Sequence, residues 1–451
     1  MRKAKYICLA LLVLASGCSK SLDTKPTSSI DQSEALKTSD DVAVALVGAY
    51  HDLGSSNLYG GGSFVTADLL GDYNELNWTG TFQDMTQIKN KDITIDNSFV
   101  TGTWLDAYKT INDVNNILKA LTVVDAASRD RVEGEAKFIR AASYFELVRL
   151  FGKSWNDGDP NSNPGVPIVL KPTTSVGEAD KLPRNTVAEV YALVLSDLAD
   201  AEAKLPGENG FFATRAAAAG LAARVALQKG DHTAAAAAAD RSINAALSAG
   251  NSLARTYANA FPNPYPPSAI ANTVEDIFAI QVTTSSGTNS FQTFYSALGR
   301  GDIQIKGAHF ALYEPGDDRL SIFYSSGGSD FTGKFDNVYG NVHIIRLAEM
   351  YLTRAEANFR NATAIGADPL VDINLVRDRV NLPALSAGQL TLDGILAERK
   401  LELAFEGFTL HDLKRTKKSL GSLPYNSPKL VFPIPKREIT VNPNLVQNEG
   451  Y

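Results

Sequence analysis

Two aromatic residues, Tyr73 and Trp78, lie in a short stretch of the sequence that is rich in planar polar side chains. The polar residues around them are Asp72, Asn74, Glu75 and Asn77. Aromatic rings stack on the apolar CH faces of sugars, while amide and carboxylate groups hydrogen-bond to sugar hydroxyls. Residue types at this spacing therefore predict a binding surface for a ligand with apolar faces and hydroxyl edges.

A second stretch has the same mixture of aromatic and polar residues. Its candidates are Phe291, Phe294, Tyr295 and Arg300, with Gln292 and Asp302 beside them. Tyr313 and Tyr324 are further candidates. The alternative for each aromatic residue is that its ring covers the small core of its own loop. The sequence leaves both interpretations open.

The residues that most often perform catalysis show no pattern typical of an enzyme. The five histidines are His51, His232, His309, His343 and His411. Each is isolated in the sequence, and none has the spacing of a zinc-binding helix. A carboxylate pair for sugar hydrolysis would meet only in space and leaves no local signature. We therefore expect a protein without catalytic activity, resident metal or cofactor.

Three glutamates, Glu398, Glu402 and Glu406, are spaced four residues apart, which places them on one face of a predicted helix. Carboxylates at this spacing could act together in catalysis. The preferred interpretation is a structural ion-pair network with arginines of neighbouring helices. The candidate partners are Arg346, Arg399 and Arg415.

The N-terminus has the order of a bacterial lipoprotein signal. Three basic residues precede an apolar run that is too short to span a bilayer, and the sequence LASGC ends at Cys18. This pattern predicts a signal peptide over residues 1–17 and lipidation of Cys18, which becomes the new N-terminus. A plain signal peptide with an incidental cysteine is the alternative. Residues 18–32 are polar and are predicted to form a flexible tether.

The charge of the chain excludes one class of partner. Removing residues 1–17 takes away three basic residues and changes the net charge from −7 to about −10. A nucleic-acid-binding protein would need a basic surface. The other cysteine, Cys8, leaves with the signal peptide, so the mature chain has no internal disulfide and no cysteine metal site.

The periodicity of apolar residues predicts an all-α scaffold. The predicted helices cover about residues 39–53, 103–121, 127–151, 186–205, 214–247 in two parts, 343–360, 368–380 and 391–406. The pair at 214–247 breaks at Lys229-Gly230-Asp231 and has the length of a tetratricopeptide-like repeat, although a generic alanine-rich hairpin fits as well. Regions 54–100 and 251–340 are predicted to be irregular insertions with a few short strands, within a single domain over residues 33–451.

A series of motifs spans most of the chain in a fixed order. It includes AKFIRAASYFELVRLFG at 136–152, ERKLELAFEG at 398–407 and NPNLVQNEGY at 442–451. Further matching segments lie at 165–170, 182–191, 197–198, 345–352, 374–379, 412–415 and 432–435. Together with the lipobox, these motifs make the chain resemble a SusD/RagB-type lipoprotein of Bacteroidetes.

The resemblance implies a fold and a function. The fold is a helical scaffold of four tetratricopeptide-like pairs, with a ligand surface formed by the irregular insertions; residues 68–80 lie where the family often places ligand contacts. The function is to bind a glycan at the cell surface and to deliver it to a SusC-like TonB-dependent transporter. The location is the outer membrane, through the lipid on Cys18, with the fold facing outward.

Two other functions remain compatible with the sequence. The protein could be a lid subunit of the transporter with little ligand affinity of its own, since only three tryptophans are present. It could also bind a peptide, as a RagB-like protein would. The residues that contact a ligand are predicted from their position and chemistry, because the family has no short ligand-binding motif.

Overall fold

The structure, a computed structural model, describes residues 36–173 and 177–451. The predicted signal peptide, the lipidation of Cys18 and the tether over residues 18–32 lie outside these ranges. Within them, no helix is both long and apolar enough to cross a membrane.

Helices form the main framework of the described chain. They are α1 (Ser39–Leu53), α2 (Gly62–Gly71), α3 (Gln83–Asn90), α4 (Ser98–Lys119), α5 (Ala126–Phe151), α6 (Val187–Lys204), α7 (Arg215–Lys229), α8 (His232–Ser248), α9 (Ser290–Tyr295), α10 (Gly307–Phe310), α11 (Leu347–Asn361), α12 (Pro369–Arg379), α13 (Leu392–Glu402), α14 (Thr409–Arg415) and α15 (Lys436–Val441). The predicted all-α scaffold is confirmed.

Six short strands form two small antiparallel sheets within the described residues. They are β1 (Leu76–Trp78), β2 (Asp276–Ile280), β3 (Ile303–Ile305), β4 (Phe323–Ser326), β5 (Ser329–Thr332) and β6 (Val342–Arg346). One sheet has the order β1-β3-β5-β4, and the other pairs β2 with β6. The first sheet joins the two insertions, because β1 comes from one and β3 from the other.

Local capping explains where several predicted helices begin. Thr38 accepts a hydrogen bond from the N–H of Asp41 and forms a capping box with it, so α1 begins at Ser39 as predicted. Thr186 and Glu189 start α6 in the same way. The prediction for α4 began five residues too late, because the side chain of Asn97 already caps this helix.

The alanine-rich pair α7 and α8 is confirmed as two helices with a tight turn. Gly230 ends α7 with φ of +75°, a conformation that glycine adopts without strain. Asp231 then accepts a hydrogen bond from the N–H of Ala234 and starts α8. Ser242 donates to the carbonyl of Ala216 across the pair, at 2.8 Å, because the small side chains let the two helices approach closely.

The prediction that residues 54–100 are irregular is wrong. This region contains α2, β1 and α3, as well as the first residues of α4. Every residue of α2 is buried, from Gly62 to Gly71. A helix that is buried on all sides has no polar face, so its sequence lacks the 3.6-residue period that would identify it.

Two other predicted boundaries are also wrong. The segment 343–346 is part of β6, not of a helix, since Val342 to Ile345 pairs with β2. Helix α13 ends at Glu402 and does not reach Glu406, because Phe405 and Gly407 take left-handed conformations with φ of +67° and +80°. Glu406 therefore follows the helix and does not share its face.

A single large apolar cluster extends through the described chain, from Val42 to Leu445. Neighbouring helices pack in sequence order, α4 on α5, α5 on α6, and α7 on α8, and α11 packs on both α8 and α12. This arrangement is the scaffold of stacked helix pairs that the sequence predicted. The single-domain boundary at residue 33 stays a prediction.

The predicted ion-pair network is present and fully buried. Arg346 contacts Glu275 at 2.6 Å, Glu402 at 3.0 Å and Glu406 at 2.7 Å. Arg379 also contacts Glu275 and Glu402, at 2.6 and 2.5 Å. Burial raises the pKa of Glu402, but the positive charges of Arg379 and Arg346 outweigh this effect and hold that pKa well below its usual value.

The other two predicted partners of the glutamates belong to a second cluster. Arg399 contacts Asp412 at 2.9 Å, and Arg415 contacts both Asp412 and Glu356 at 2.6 Å. Glu398 instead pairs with arginines outside the predicted set, Arg319 and Arg377. The structural interpretation of the glutamates therefore holds, and Arg346 is one of their partners. The prediction that Arg399 and Arg415 are also partners of these glutamates is wrong.

Candidate functional site

The pairing of β1 with β3 brings the two insertions together at one surface. Asn77 lies opposite Gln304, and Leu76 and Trp78 lie opposite Ile305 and Ile303. Side chains alternate along a strand, so the apolar residues face the core and Asn77 faces outward. The Asn77 amide donates to Gln304 Oε1 at 3.0 Å. We call this outward face, together with the loop that follows β1 and the loop that precedes β3, the β1–β3 surface.

Trp78 is half-buried at the edge of this surface. Its indole N–H donates to Thr86 Oγ1 at 3.0 Å, and its ring lies 5.9 Å from the ring of Phe294. Both contacts fix the orientation of the indole. Trp78 is therefore a rigid support for the surface, with only part of its ring open to a ligand.

Phe82 and Arg300 form the most exposed aromatic group near Trp78. Phe82 is 40% exposed, and the Arg300 guanidinium lies 4.5 Å from the centre of its ring. Arg300 Nε also donates to Asp302 at 2.6 Å. This arrangement holds a planar cation against an aromatic ring at the rim of the surface. Phe82 was missed by the sequence analysis, although it follows the stretch 68–80 by only two residues.

The other aromatic candidates of the second insertion are buried. Phe291, Phe294 and Tyr295 lie on α9, which Asn289 caps, and their rings point into the core. Phe291 stacks on Phe335 with ring centres 4.6 Å apart. The prediction that these three residues are exposed loop aromatics is wrong, because a short helix turns them inward. The alternative, that they cover a core, fits all three.

Asp72 is also buried, and it organises the turn before β1. Its Oδ1 accepts hydrogen bonds from the N–H groups of Glu75 and Leu76, both at 2.9 Å, and its other oxygen pairs with Lys89. Its predicted position on a binding surface is therefore wrong. Asn74 adopts φ of +67° in the same turn and accepts a hydrogen bond from Lys306. Asn74 is exposed, as predicted.

Tyr73 lines a cleft of about 280 Å³ next to α13 and α14. Lys400 of α13 pairs with Glu75 at the wall of the cleft, and Glu75 also hydrogen-bonds to His309 Nδ1 at 2.9 Å. Burial raises the pKa of Glu75, but these two partners outweigh it and lower that pKa overall. Trp78, Asn77 and Arg300 do not line this cleft.

Asp68 is a buried carboxylate beneath this region, and its ionisation is coupled to stability. Its Oδ2 accepts hydrogen bonds from the Gly407 N–H at 3.0 Å and from the Tyr295 hydroxyl at 3.1 Å. Burial raises the pKa of Asp68 to about 7. The folded protein therefore retains a proton that the unfolded chain releases near pH 4, so this group stabilises the fold at low pH and loses that contribution as the pH rises through 7.

Replacing Asp68 by asparagine should remove this pH dependence while keeping an acceptor for both hydrogen bonds. We expect the free energy of unfolding of wild type to fall relative to that of Asp68→Asn as the pH rises. Between pH 5 and pH 8, the difference between the two proteins should change by roughly 2–3 kcal/mol in favour of the variant. Urea unfolding at the two pH values measures this difference. The control is Asp393→Asn, whose side chain is 90% exposed, and it should show no such change. Equal pH profiles for Asp68→Asn and wild type would contradict the assignment.

The described residues offer no obvious metal centre. Across 36–173 and 177–451, no group of three or more His, Cys, Asp or Glu side chains is placed to hold a metal ion. The chemistry that the β1–β3 surface supports is recognition: its flanking loops carry an aromatic ring with a guanidinium against it, and the outward face of the strand pair carries a hydrogen-bonded amide pair.

Two family models match separate parts of the sequence. One is described as "Starch-binding associating with outer membrane" and matches residues 20–227. The other describes the SusD family and matches residues 332–427.

The chain is also similar to known proteins over its whole length. It is 25% identical to the SusD-like protein P2 of Formosa agariphila, with 100% of both chains covered. Among solved structures, a putative sugar binding protein from Bacteroides vulgatus superposes with a TM-score of 0.82 at 27% identity, over 92% of this chain and 99% of that one. A laminarin binding SusD-like protein has a TM-score of 0.73 at 22% identity, over 92% and 100% of the two chains, and shares the fold.

Proposed function

The chain belongs to the SusD/RagB family of Bacteroidetes, and on this premise we propose that it binds an oligosaccharide at the cell surface and passes it to a TonB-dependent transporter. A lipid on Cys18 would anchor it to the outer membrane, with the fold facing outward. The protein acts by recognition, and no bond in the ligand is broken.

The observation that carries this proposal is the composition of the β1–β3 surface. Its flanking loops hold the exposed ring of Phe82 against the guanidinium of Arg300, and its strands carry the hydrogen-bonded amides of Asn77 and Gln304. Sugars require this combination, since their apolar faces stack on rings and their hydroxyls accept and donate hydrogen bonds. The family description as starch-binding and associated with the outer membrane supports the same ligand class and location.

Calorimetric titration of the mature protein tests ligand binding. The probes are maltoheptaose, laminarihexaose, and a mixed pool of short peptides. Saturable binding of at least one oligosaccharide is expected. If none of the probes binds while the protein still co-purifies with a transporter, it is a lid subunit and the proposal fails. Binding of peptides alone would support a peptide-binding function instead, and turnover of any glycan would contradict recognition without catalysis.

The anchor has its own test, because the lipid must be attached to one thiol. We expect Cys18→Ser to move the protein from the outer-membrane fraction to the soluble fraction, and to abolish labelling by a radioactive fatty acid. The matched control is Cys8→Ser, which alters the signal peptide and should leave both properties unchanged. Membrane retention of Cys18→Ser would contradict anchoring through this residue. Protease added to intact cells reports whether the fold faces outward.

A further inference from the structure

The cleft beside Tyr73 has a lining that includes none of Asn77, Phe82, Arg300 and Gln304, and it has the features of a small binding site. Its volume is about 280 Å³, which approaches the lower end of small-molecule pockets. The floor is apolar and consists mainly of Leu403, Phe408 and Leu420. The rim carries Lys400, Thr416 and Ser419. An apolar floor with a polar rim can receive a ring that has both CH faces and hydroxyl groups.

Tyr73 stands at the mouth of this cleft in a fixed position. Its side chain is 66% exposed, yet its ring packs closely on the backbone of Gly421. Gly421 has φ of +59°, and a Cβ atom at this position would collide with the ring. A ring held on one side and open on the other offers contact area with little loss of conformational entropy on binding.

The charges around the cleft are nearly balanced. Lys400 is paired with Glu75, and Arg399 is paired with Asp412, so each cation in the wall has a carboxylate beside it. Lys418 at the rim is the exception, since its side chain is 58% exposed and its contact with the exposed Asp393 is 3.6 Å long. Balanced pairs favour an uncharged ligand with many hydroxyl groups, because each ion pair supplies both a donor and an acceptor.

The position of the cleft relates it to the first surface. Tyr73 precedes Trp78 by five residues, and five extended residues span at most roughly 17 Å. The intervening turn is held by Asp72, Asn74 and their lysine partners. A ligand that lies along β1 could therefore occupy both sites at once, provided that it contains several linked units.

We propose that the Tyr73 cleft is a second carbohydrate subsite, which binds an uncharged sugar unit of the glycan whose other units occupy the β1–β3 surface. Tyr73 stacks on this unit, while Lys418 and Lys400 donate hydrogen bonds to its hydroxyls. The inference rests on the proposed function, and it adds a second point of contact that favours long or branched glycans over short ones.

Titration of maltoheptaose and laminarihexaose into wild type, Tyr73→Ala and Phe82→Ala separates the two sites. We expect Tyr73→Ala to weaken the affinity for whichever oligosaccharide binds wild type by about tenfold. Tyr73→Phe should bind within about twofold of wild type, since the ring remains. Tyr265→Ala removes a ring that is 98% exposed elsewhere and should leave affinity unchanged.

Each outcome has a defined meaning. If Phe82→Ala weakens binding but Tyr73→Ala does not, the second subsite is overturned and the proposed function stands. If Tyr73→Ala weakens binding but Phe82→Ala does not, the cleft is supported and the β1–β3 surface is not the main site. If wild type binds neither oligosaccharide, both proposals fail. If Tyr73→Ala does not fold, the affinity of Lys418→Ala is measured in its place, because Lys418 has an exposed side chain in the same proposed subsite. A lower affinity than that of wild type supports the subsite, and an unchanged affinity overturns it.

Discussion

Replacing Arg346 by methionine is expected to lower the free energy of unfolding by about 3–5 kcal/mol. Arg346 is buried and contacts Glu275, Glu402 and Glu406. Methionine fills part of the same volume but provides no charge. Three carboxylates would then remain in the core with fewer positive neighbours, and an uncompensated buried charge is costly.

The effect of Arg346→Met should also depend on pH in a defined direction. Positive neighbours outweigh burial and keep the pKa of Glu402 and Glu406 low in the folded wild type, so these groups contribute stability above their unfolded pKa and lose it as the pH falls. In the variant, each of these carboxylates loses one positive neighbour, so the pKa of both should rise from its low value. Protonation would then relieve the unpaired charge, and we expect a smaller deficit at pH 4 than at pH 7.

A surface pair provides the control for this experiment. Arg241 contacts Glu202 at 2.6 Å, but its side chain is 53% exposed. Arg241→Met should change the free energy of unfolding by less than about 1 kcal/mol, because water screens exposed pairs. Urea unfolding followed by circular dichroism measures both variants. If Arg346→Met is as mild as Arg241→Met, the buried network does not stabilise the fold as described.

The second large effect concerns ligand binding at the β1–β3 surface. We expect Phe82→Ala and Arg300→Ala each to weaken oligosaccharide binding about tenfold, which corresponds to about 1.4 kcal/mol. The ring supplies a stacking face, and the guanidinium supplies donors to hydroxyl groups. Calorimetric titration measures both affinities, and thermal unfolding verifies that each variant is folded.

The double variant gives further information, because Phe82 and Arg300 contact each other at 4.5 Å. Residues in contact are rarely independent, so the loss in the double variant should be smaller than the sum of the two single losses. Tyr265→Ala and Arg255→Ala are the matched controls, since both side chains are exposed at other places on the surface. Unchanged affinity in both single variants would remove the β1–β3 surface as the main binding site.

The sequence predicted the amphipathic helices well because their apolar period is visible in any single segment. Helix α1 and the pair α7 and α8 were found with nearly correct ends, since their caps are local. Helix α2 was missed because it is buried on all sides and follows a glycine-rich segment. Strand β6 was assigned to a helix because it runs directly into α11.

The candidate site was only partly predictable, since exposure depends on contacts between distant residues. Asn77 and Gln304 are 227 positions apart and meet only through the pairing of β1 with β3. Residue type could not distinguish the buried Phe291 from the exposed Phe82, because both follow polar loops. The sequence therefore identified the two regions that the pairing of β1 with β3 joins, while the fold decided which side chains reach the surface.

Glycan recognition at these two places can be seen directly in a crystal structure of the protein with a bound oligosaccharide. We expect a sugar ring against Phe82, with hydroxyl groups within hydrogen-bonding distance of Arg300 and Asn77. We also expect that a longer glycan places a second ring against Tyr73. A glycan that is bound at saturating concentration but contacts neither the β1–β3 surface nor the Tyr73 cleft would contradict both proposed sites.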